Sequence, residues 1–201
     1  LVAAHDVLGL VREASADDLV VKQAREEGVP VFGTASLAVL TDVVHELAPD
    51  CVVVSSFDRL LPASLLRACH FVNVHYSPLP RHRGRANVNW AVINGDREAA
   101  ISIHEMLPDL DAGGLLFQQR VPIGPRTTAA ELYLILNTIQ ERELGAAVSR
   151  LLSGHASEQQ DVTQATYDCT RVPEDGEMDW TAGSAVLDRL VRGLTAPAPG
   201  A

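Results

Sequence analysis

The chain has 201 residues, 47% hydrophobic and 21% charged, enough for one generous domain with a buried core. That composition, with a mean hydropathy near zero (+0.08), excludes disordered and collagen-like classes, and no apolar run approaches the length of a membrane span. Sixteen basic against 26 acidic residues give a net charge of -10, which argues against broad wrapping of nucleic acid but leaves room for a local basic site. The three cysteines, Cys51, Cys69 and Cys169, are odd in number and widely spaced, a usage that fits a reducing, cytoplasmic compartment. Cys51 reads as a small buried hydrophobe. The start, Leu1 to Asp6, has neither a basic leader nor an initiator methionine, which suggests a processed chain or absent upstream residues.

In chain order, Val7 to Val11 reads as strand, Ala16 to Glu27 as helix, Pro30 to Phe32 as a short strand and Leu37 to Leu47 as helix. Cys51 to Ser55 is continuously apolar and β-branched, as expected of a central parallel strand covered on both faces. A short helix through Leu65 and Leu66 leads to the strand Phe71 to His75, then to a loop with two prolines and a glycine. Asn87 to Asn94 suits a helix closed by Gly95, and Ala99 to Met106 reads as strand. The loop Pro108 to Gly114 opens into the strand Leu115 to Val121. Thr127 or Thr128 can cap a long helix running towards Leu152, with Glu131 placed for a capping box. Gly154 to Trp180 is polar and irregular, Ala185 to Leu194 is an amphipathic helix, and Thr195 to Ala201 is a flexible ending.

Alternating strands and helices predict an α/β fold, in which ligands sit beyond the carboxyl ends of the strands. Polar groups there carry the most weight. The period of two puts Asn73 and His75 on one face at the end of a strand, an amide donor beside a general base. A turn-capping asparagine and a satisfied core histidine remain the bland alternative. The loop Ser77-Pro78-Leu79-Pro80-Arg81-His82-Arg83-Gly84-Arg85 is stiffened by its prolines, and Arg81, Arg83 and Arg85 gather positive charge suited to phosphate or carboxylate. Solvated surface charge is the competing reading. Asp111, before Ala112-Gly113-Gly114, is either a third site residue or a turn-forming aspartate. His5, His45, His70, His104 and His155 show no ligand spacing and read as core or surface histidines, and no metal is implied.

The order of these groups, Asn73-Val74-His75, then Ser77-Pro78-Leu79-Pro80-Arg81-His82-Arg83-Gly84, then Asp111-Ala112-Gly113, resembles the catalytic core of the 10-formyltetrahydrofolate-dependent formyltransferases. That family includes methionyl-tRNA, glycinamide ribonucleotide and amino-sugar formyltransferases, and a 10-formyltetrahydrofolate hydrolase domain. Its motif is Asn-x-His, Ser-Leu-Leu-Pro-x-x-x-Gly and Asp-x-Gly. Pro78 stands where leucine is usual, a change that removes no reacting group. Phe57-Asp58-Arg59-Leu60-Leu61-Pro62 is similar to the family loop that grips the pterin, and Pro108, Asp109 and Leu110 to the second folate-facing loop. The segment Arg171 to Gly176 leans towards the amino-sugar members.

The resemblance implies a Rossmann-like formyltransferase fold with a mostly parallel sheet and helices on both faces, lacking the first strand and helix of the family. Roughly 20 to 30 upstream residues would supply that unit. It implies a catalytic domain over residues 1–182, followed by a linker helix and the start of a carboxy-terminal domain over 183–201. It implies 10-formyltetrahydrofolate as co-substrate, and catalysis by Asn73, His75 and Asp111: Asn73 as donor to the carbonyl oxygen that becomes negative, His75 as proton acceptor, and Asp111 orienting the imidazole. Ser77 to Arg81, Arg83, Gly84 and Arg85 would face the acceptor. That acceptor is expected to be a small anionic amine such as a nucleotide-linked amino sugar. Methionyl-tRNA is the runner-up, disfavoured by the net acidity, and hydrolysis of the folate is the alternative from another class. No membrane partner is expected, and a homodimer is kept as a candidate assembly. The absence of Gly-x-Gly-x-x-Gly after any strand argues against dinucleotide binding.

Overall fold

The computed structural model describes residues 1–13, 18–33, 36–57, 59–196 and 200. Strand β1 (Leu10–Arg12) is followed by α1 (Leu19–Glu26), β2 (Val31–Gly33), α2 (Leu37–Leu47), β3 (Cys51–Ser55), α3 (Ala63–Leu66) and β4 (His70–His75). Then come β5 (Arg83–Gly84), α4 (Asn87–Asn94), β6 (Glu98–Glu105), β7 (Leu115–Pro122), α5 (Ala129–Leu152), β8 (Tyr167–Asp168) and α6 (Ser184–Gly193). Local chemistry sets several ends. Asp18 accepts from the amides of Val20 and Val21, so α1 starts later than the apolar spacing suggests, and Ala16 lies outside the described residues. Thr128 and Glu131 form the expected capping box on α5. Gly95 closes α4 at φ 77°. Of the ending from Thr195, residues 197–199 and 201 also lie outside the described residues.

β1 and β2 pair in parallel as a two-stranded sheet, and a four-stranded sheet runs in the order β3-β4-β6-β7. The parallel expectation holds for β1/β2 and β3/β4, whereas β6 and β7 extend the sheet antiparallel. Among the described residues β3 is the end strand of its sheet, not a central one, with Cys51 to Val54 only half-buried and Ser55 exposed.

Helices cover both faces of the larger sheet. Val72 and Val74 of β4 and Ala99, Ile101 and Ile103 of β6 join Val88 and Val92 of α4 and Leu132, Leu136 and Ile139 of α5 in the main core. Phe71 faces the other way, with Val44 of α2 and Leu65 of α3, in a smaller core. By the same alternation Asn73 and His75 lie on the side of Phe71. α6 docks on α4: Asn89 donates to the Gly193 carbonyl at 2.7 Å, and Arg189 to that of Ile93 at 3.1 Å.

Candidate active site

The site is built where β4 and β6 pair. The register sets Asn73 against His104 and His75 against Ser102, so four polar side chains share one face of the sheet. The third element is the loop between β6 and β7, which delivers Asp111 with its backbone in the left-handed region at φ 49°. A Cβ at Gly113 would collide with the Glu105 carbonyl, so the glycine of the Asp-x-Gly motif lets this loop press against the end of β6. Gln160 secures the loop by donating to the carbonyls of Asp111 at 2.9 Å and Gly113 at 2.7 Å.

Asp111 is the hub. Its Oδ2 accepts from the Gly84 amide at 2.9 Å and lies 3.7 Å from Nδ1 of His75. Its Oδ1 accepts from Nδ2 of Asn73 at 3.4 Å and lies 3.6 Å from Nε2 of His104. Burial opposes ionisation of this carboxyl, but His104, His75 and the Gly84 amide outweigh it and hold its pKa down to about 2. His75 moves the other way for a histidine: burial favours its neutral form and, with a small push from His104, prevails over Asp111, the His82 carbonyl and Asp168. Its Nε2 lies 2.8 Å from the His82 carbonyl, which can only accept, so Nε2 carries the proton and Nδ1 presents a lone pair.

The loop after β4 is anchored from several sides. Ser77 donates to the Arg81 carbonyl at 2.9 Å, Ser102 to the Ser77 carbonyl at 2.7 Å, and Gln118 to the Leu79 carbonyl at 2.9 Å. Ser77, Pro78 and Leu79 are buried, and Pro80 is half-buried. The expected cluster of three arginines is divided. Arg81 and Arg85 are exposed, whereas Arg83 is buried, donates to Gln160 and to the Tyr167 hydroxyl, and stacks over the Tyr167 ring. Gly84 meets the site through its amide, with no room for a Cβ against the Asp168 carbonyl at φ 102°.

Phe57 and Leu60 after β3, and Leu110 after β6, present exposed apolar side chains (41%, 72% and 43%). Both loops are anchored on the smaller core, through Leu61 and Met106. Arg59, Pro108 and Asp109 are exposed on these loops, and Asp58 lies outside the described residues. Among the described residues no group of three His, Cys, Asp or Glu side chains could hold a metal ion, and no helix is long and apolar enough to cross a membrane. All three cysteines are free, and burial pushes the Cys51 thiol up to about 11, far from a reactive thiolate.

His104 departs from its reading as an ordinary core or surface histidine. It is buried (1% exposed), but in the cluster, 3.3 Å from Nδ2 of Asn73. Ser102 and His104 alternating along an apolar strand were the available signal. Gln160 and Asp168 sit in the stretch read as irregular, and nothing in their local pattern marks them.

This arrangement coincides with a family match: residues 3–149 fit the formyl transferase family. The chain belongs to that family. Among curated relatives of this formyl transferase chain, methionyl-tRNA formyltransferases of Geobacter sulfurreducens and Geobacter metallireducens are each 36% identical, over 185 and 183 residues. Each alignment covers 89% of the chain, which spans 57% and 58% of those relatives. Solved structures show the same fold at lower identity. A likely sugar N-formyltransferase, Rv3404c from Mycobacterium tuberculosis, matches with TM-score 0.73 and 19% identity, over 92% of this chain and 86% of its own. HypX from Aquifex aeolicus in complex with tetrahydrofolic acid matches with TM-score 0.74 and 15% identity, over 95% of this chain and 35% of its own. The N-formyltransferase from Helicobacter canadensis, in complex with folinic acid and dTDP-3-aminofucose, matches with TM-score 0.73 and 17% identity, over 90% and 65%.

Proposed function

We propose that this chain transfers a formyl group from 10-formyltetrahydrofolate to a primary amine, that of a nucleotide-linked amino sugar or similar small anionic metabolite. The observation that carries the reading is the convergence of Asn73, His75 and Asp111, with the carboxylate ionised and the imidazole neutral in one buried cluster. A folate fits the two loops: Phe57, Leu60 and Leu110 offer apolar side chains that would hold a flat ring system, on loops rooted in one small core. When bound, the folate supplies an electrophilic formyl carbonyl.

The chain's own residues do the rest. Asn73 donates to Asp111 over a long contact of 3.4 Å, so a developing oxyanion can compete for an amide proton. His75 takes the amine proton at Nδ1, the nitrogen that carries a lone pair. The resulting imidazolium faces the Asp111 carboxylate at 3.7 Å, so the positive charge forms beside an existing negative one. Exposed Arg81 and Arg85, on the loop beside this cluster, suit an anionic acceptor.

A second reading, formylation of methionyl-tRNA, is supported by the 36% identical relatives. Tetrahydrofolate release from 10-formyltetrahydrofolate separates the readings when it is followed with the full-length protein and amino-sugar nucleotides, with charged methionyl-tRNA, and with no amine. Release that requires an amino-sugar nucleotide supports the first, release that requires the tRNA supports the second, and equal release without any amine identifies a hydrolase.

A further inference from the structure

The mechanism uses the imidazole of His75 and leaves that of His82, on the loop after β4, without a role. Its environment is unusual. His82 is buried with its backbone in the left-handed region at φ 58°, a conformation costly for any residue with a β-carbon. Its Nδ1 lies 3.0 and 3.2 Å from the two oxygens of Asp168. Its Nε2 lies 3.1 Å from Oδ2 of Asp96, an ion-pair distance without hydrogen-bond alignment. With a carboxylate at each nitrogen, a neutral ring would set a lone pair against one of them, whereas an imidazolium offers a proton to Asp168 and its positive charge to both. The Asp168 hydrogen bond is the strongest influence raising its pKa; the charges of Asp168 and Asp96 add to it against burial and the neighbouring Arg81.

The backbone of this same residue faces the reacting cluster. Its carbonyl accepts from Nε2 of His75 at 2.8 Å and from Nδ2 of Asn87 at 2.7 Å, while its amide donates to Oγ1 of Thr166 at 2.8 Å. Two residues on, the Gly84 amide reaches Asp111, and Gly84 is paired with Asp168 in the β5/β8 ladder. One clamp therefore carries two contacts to the site, one to the base and one to its carboxylate.

We propose that His82 is a positioning residue: gripped between Asp168 and Asp96, it fixes the loop whose carbonyl selects the Nε2–H tautomer of His75 and so reserves Nδ1 for the substrate's proton. The role rests on the formyl-transfer reading above. A neutral imidazole has one proton and here two acceptors for it, the His82 carbonyl at 2.8 Å from Nε2 and Asp111 at 3.7 Å from Nδ1. The nearer one wins while the clamp holds. Once it is loosened, the proton moves to Nδ1 and the carboxylate, and the nitrogen beside Asp111 can no longer accept.

Histidine 15N spectra of the full-length protein, with pH profiles of formyl transfer, test this. In the wild type at neutral pH, His75 is expected as the Nε2–H tautomer and His82 as doubly protonated. A neutral His82, or His75 protonated on Nδ1, overturns the proposal without any variant. His82→Asn removes the ring but keeps a residue that tolerates positive φ. Its kcat is expected to fall on the order of ten- to a hundredfold, part of the roughly 10²–10⁴ that a positioned base contributes. The folate KM stays unchanged. His75 becomes a mixture of tautomers, and the ascending limb of the pH profile moves to lower pH, because the loosened His82 carbonyl no longer favours protonated His75. If His82→Asn does not fold, Asp168→Asn is read in the same way. A folded variant with an unchanged His75 tautomer and pH profile overturns the role. A wild type with the expected tautomers and no transfer to any amine overturns the functional reading and leaves the clamp standing.

Discussion

Asp111 keeps its charge and His75 sheds its proton in the same pocket because burial meets different opposition at each. The Gly84 and Asn73 amides donate to the carboxylate and two imidazoles stand beside it, whereas the one hydrogen bond made by the His75 ring is satisfied by its neutral form. Asn73→Ala is expected to lower kcat on the order of 10²–10³, as for loss of an oxyanion donor. His75→Ala is expected to cost roughly 10²–10⁴, the contribution of a general base. Tetrahydrofolate release measures both, with circular dichroism to verify the fold. Because the folded pKa of His75 is lowered, the base is already unprotonated at neutral pH, and the ascending limb of kcat/KM against pH should lie below the free-histidine value of about 6.5. Asp111→Asn removes a charge that favours the protonated ring, so the limb should move lower still. The carboxyl itself links stability to pH. Its folded pKa of about 2 lies below an ordinary aspartate value of 3.8, so its stabilisation is complete above that value and disappears as pH falls through 2. The size is on the order of 2 kcal/mol. Urea titrations should show wild type more stable than Asp111→Asn at pH 7 by about that amount, with the gap closing below pH 4.

At the scale of elements, the site depends on two short crossings in which backbone touches backbone. Gly113 lies against the end of β6, and Gly84 against the Asp168 carbonyl in the β5/β8 ladder. Gly113→Ala should push the Asp111 loop off β6, lowering kcat more than it lowers thermal stability, because the collision is at the edge of the fold while the core of α5, β6 and β7 is untouched. Parallel measurements of Tm and kcat check this. Legibility follows the same division. α2 and α4 stand where apolar spacing puts them, since each is long enough to show its period and has a local end signal, and β3 stands where a continuous β-branched run puts it. β5 and β8 are two residues each and show no period, so the brace they form is invisible in the pattern.

For the whole molecule, the charge of -10 bears on the acceptor. An acidic surface gains little from counterion release, so this chain alone should show weak association with tRNA and a shallow dependence on salt. Titration with uncharged tRNA between 50 and 200 mM salt, magnitudes at which phosphate-driven binding changes by roughly 10³–10⁵, measures it. A steep salt slope would favour the methionyl-tRNA reading over the small anionic amine. The cores enforce the site's location, because α4 and α5 cover one face of the sheet and leave the polar residues of β4 and β6 on the other.

Residue order alone specifies the α/β class, most helices and strands of ordinary length, and the family, because periodicity, capping chemistry and ordered motifs are local properties of the chain. It also singled out Asn73, His75 and Asp111. Folding in three dimensions settles that, among the described residues, β3 ends its sheet, that Arg83 is withdrawn from Arg81 and Arg85, and that His104, His82 and Asp168 stand around the reacting groups. Those facts depend on which strands pair and on contacts between residues as far apart as 86 positions, and a linear pattern records no such distance.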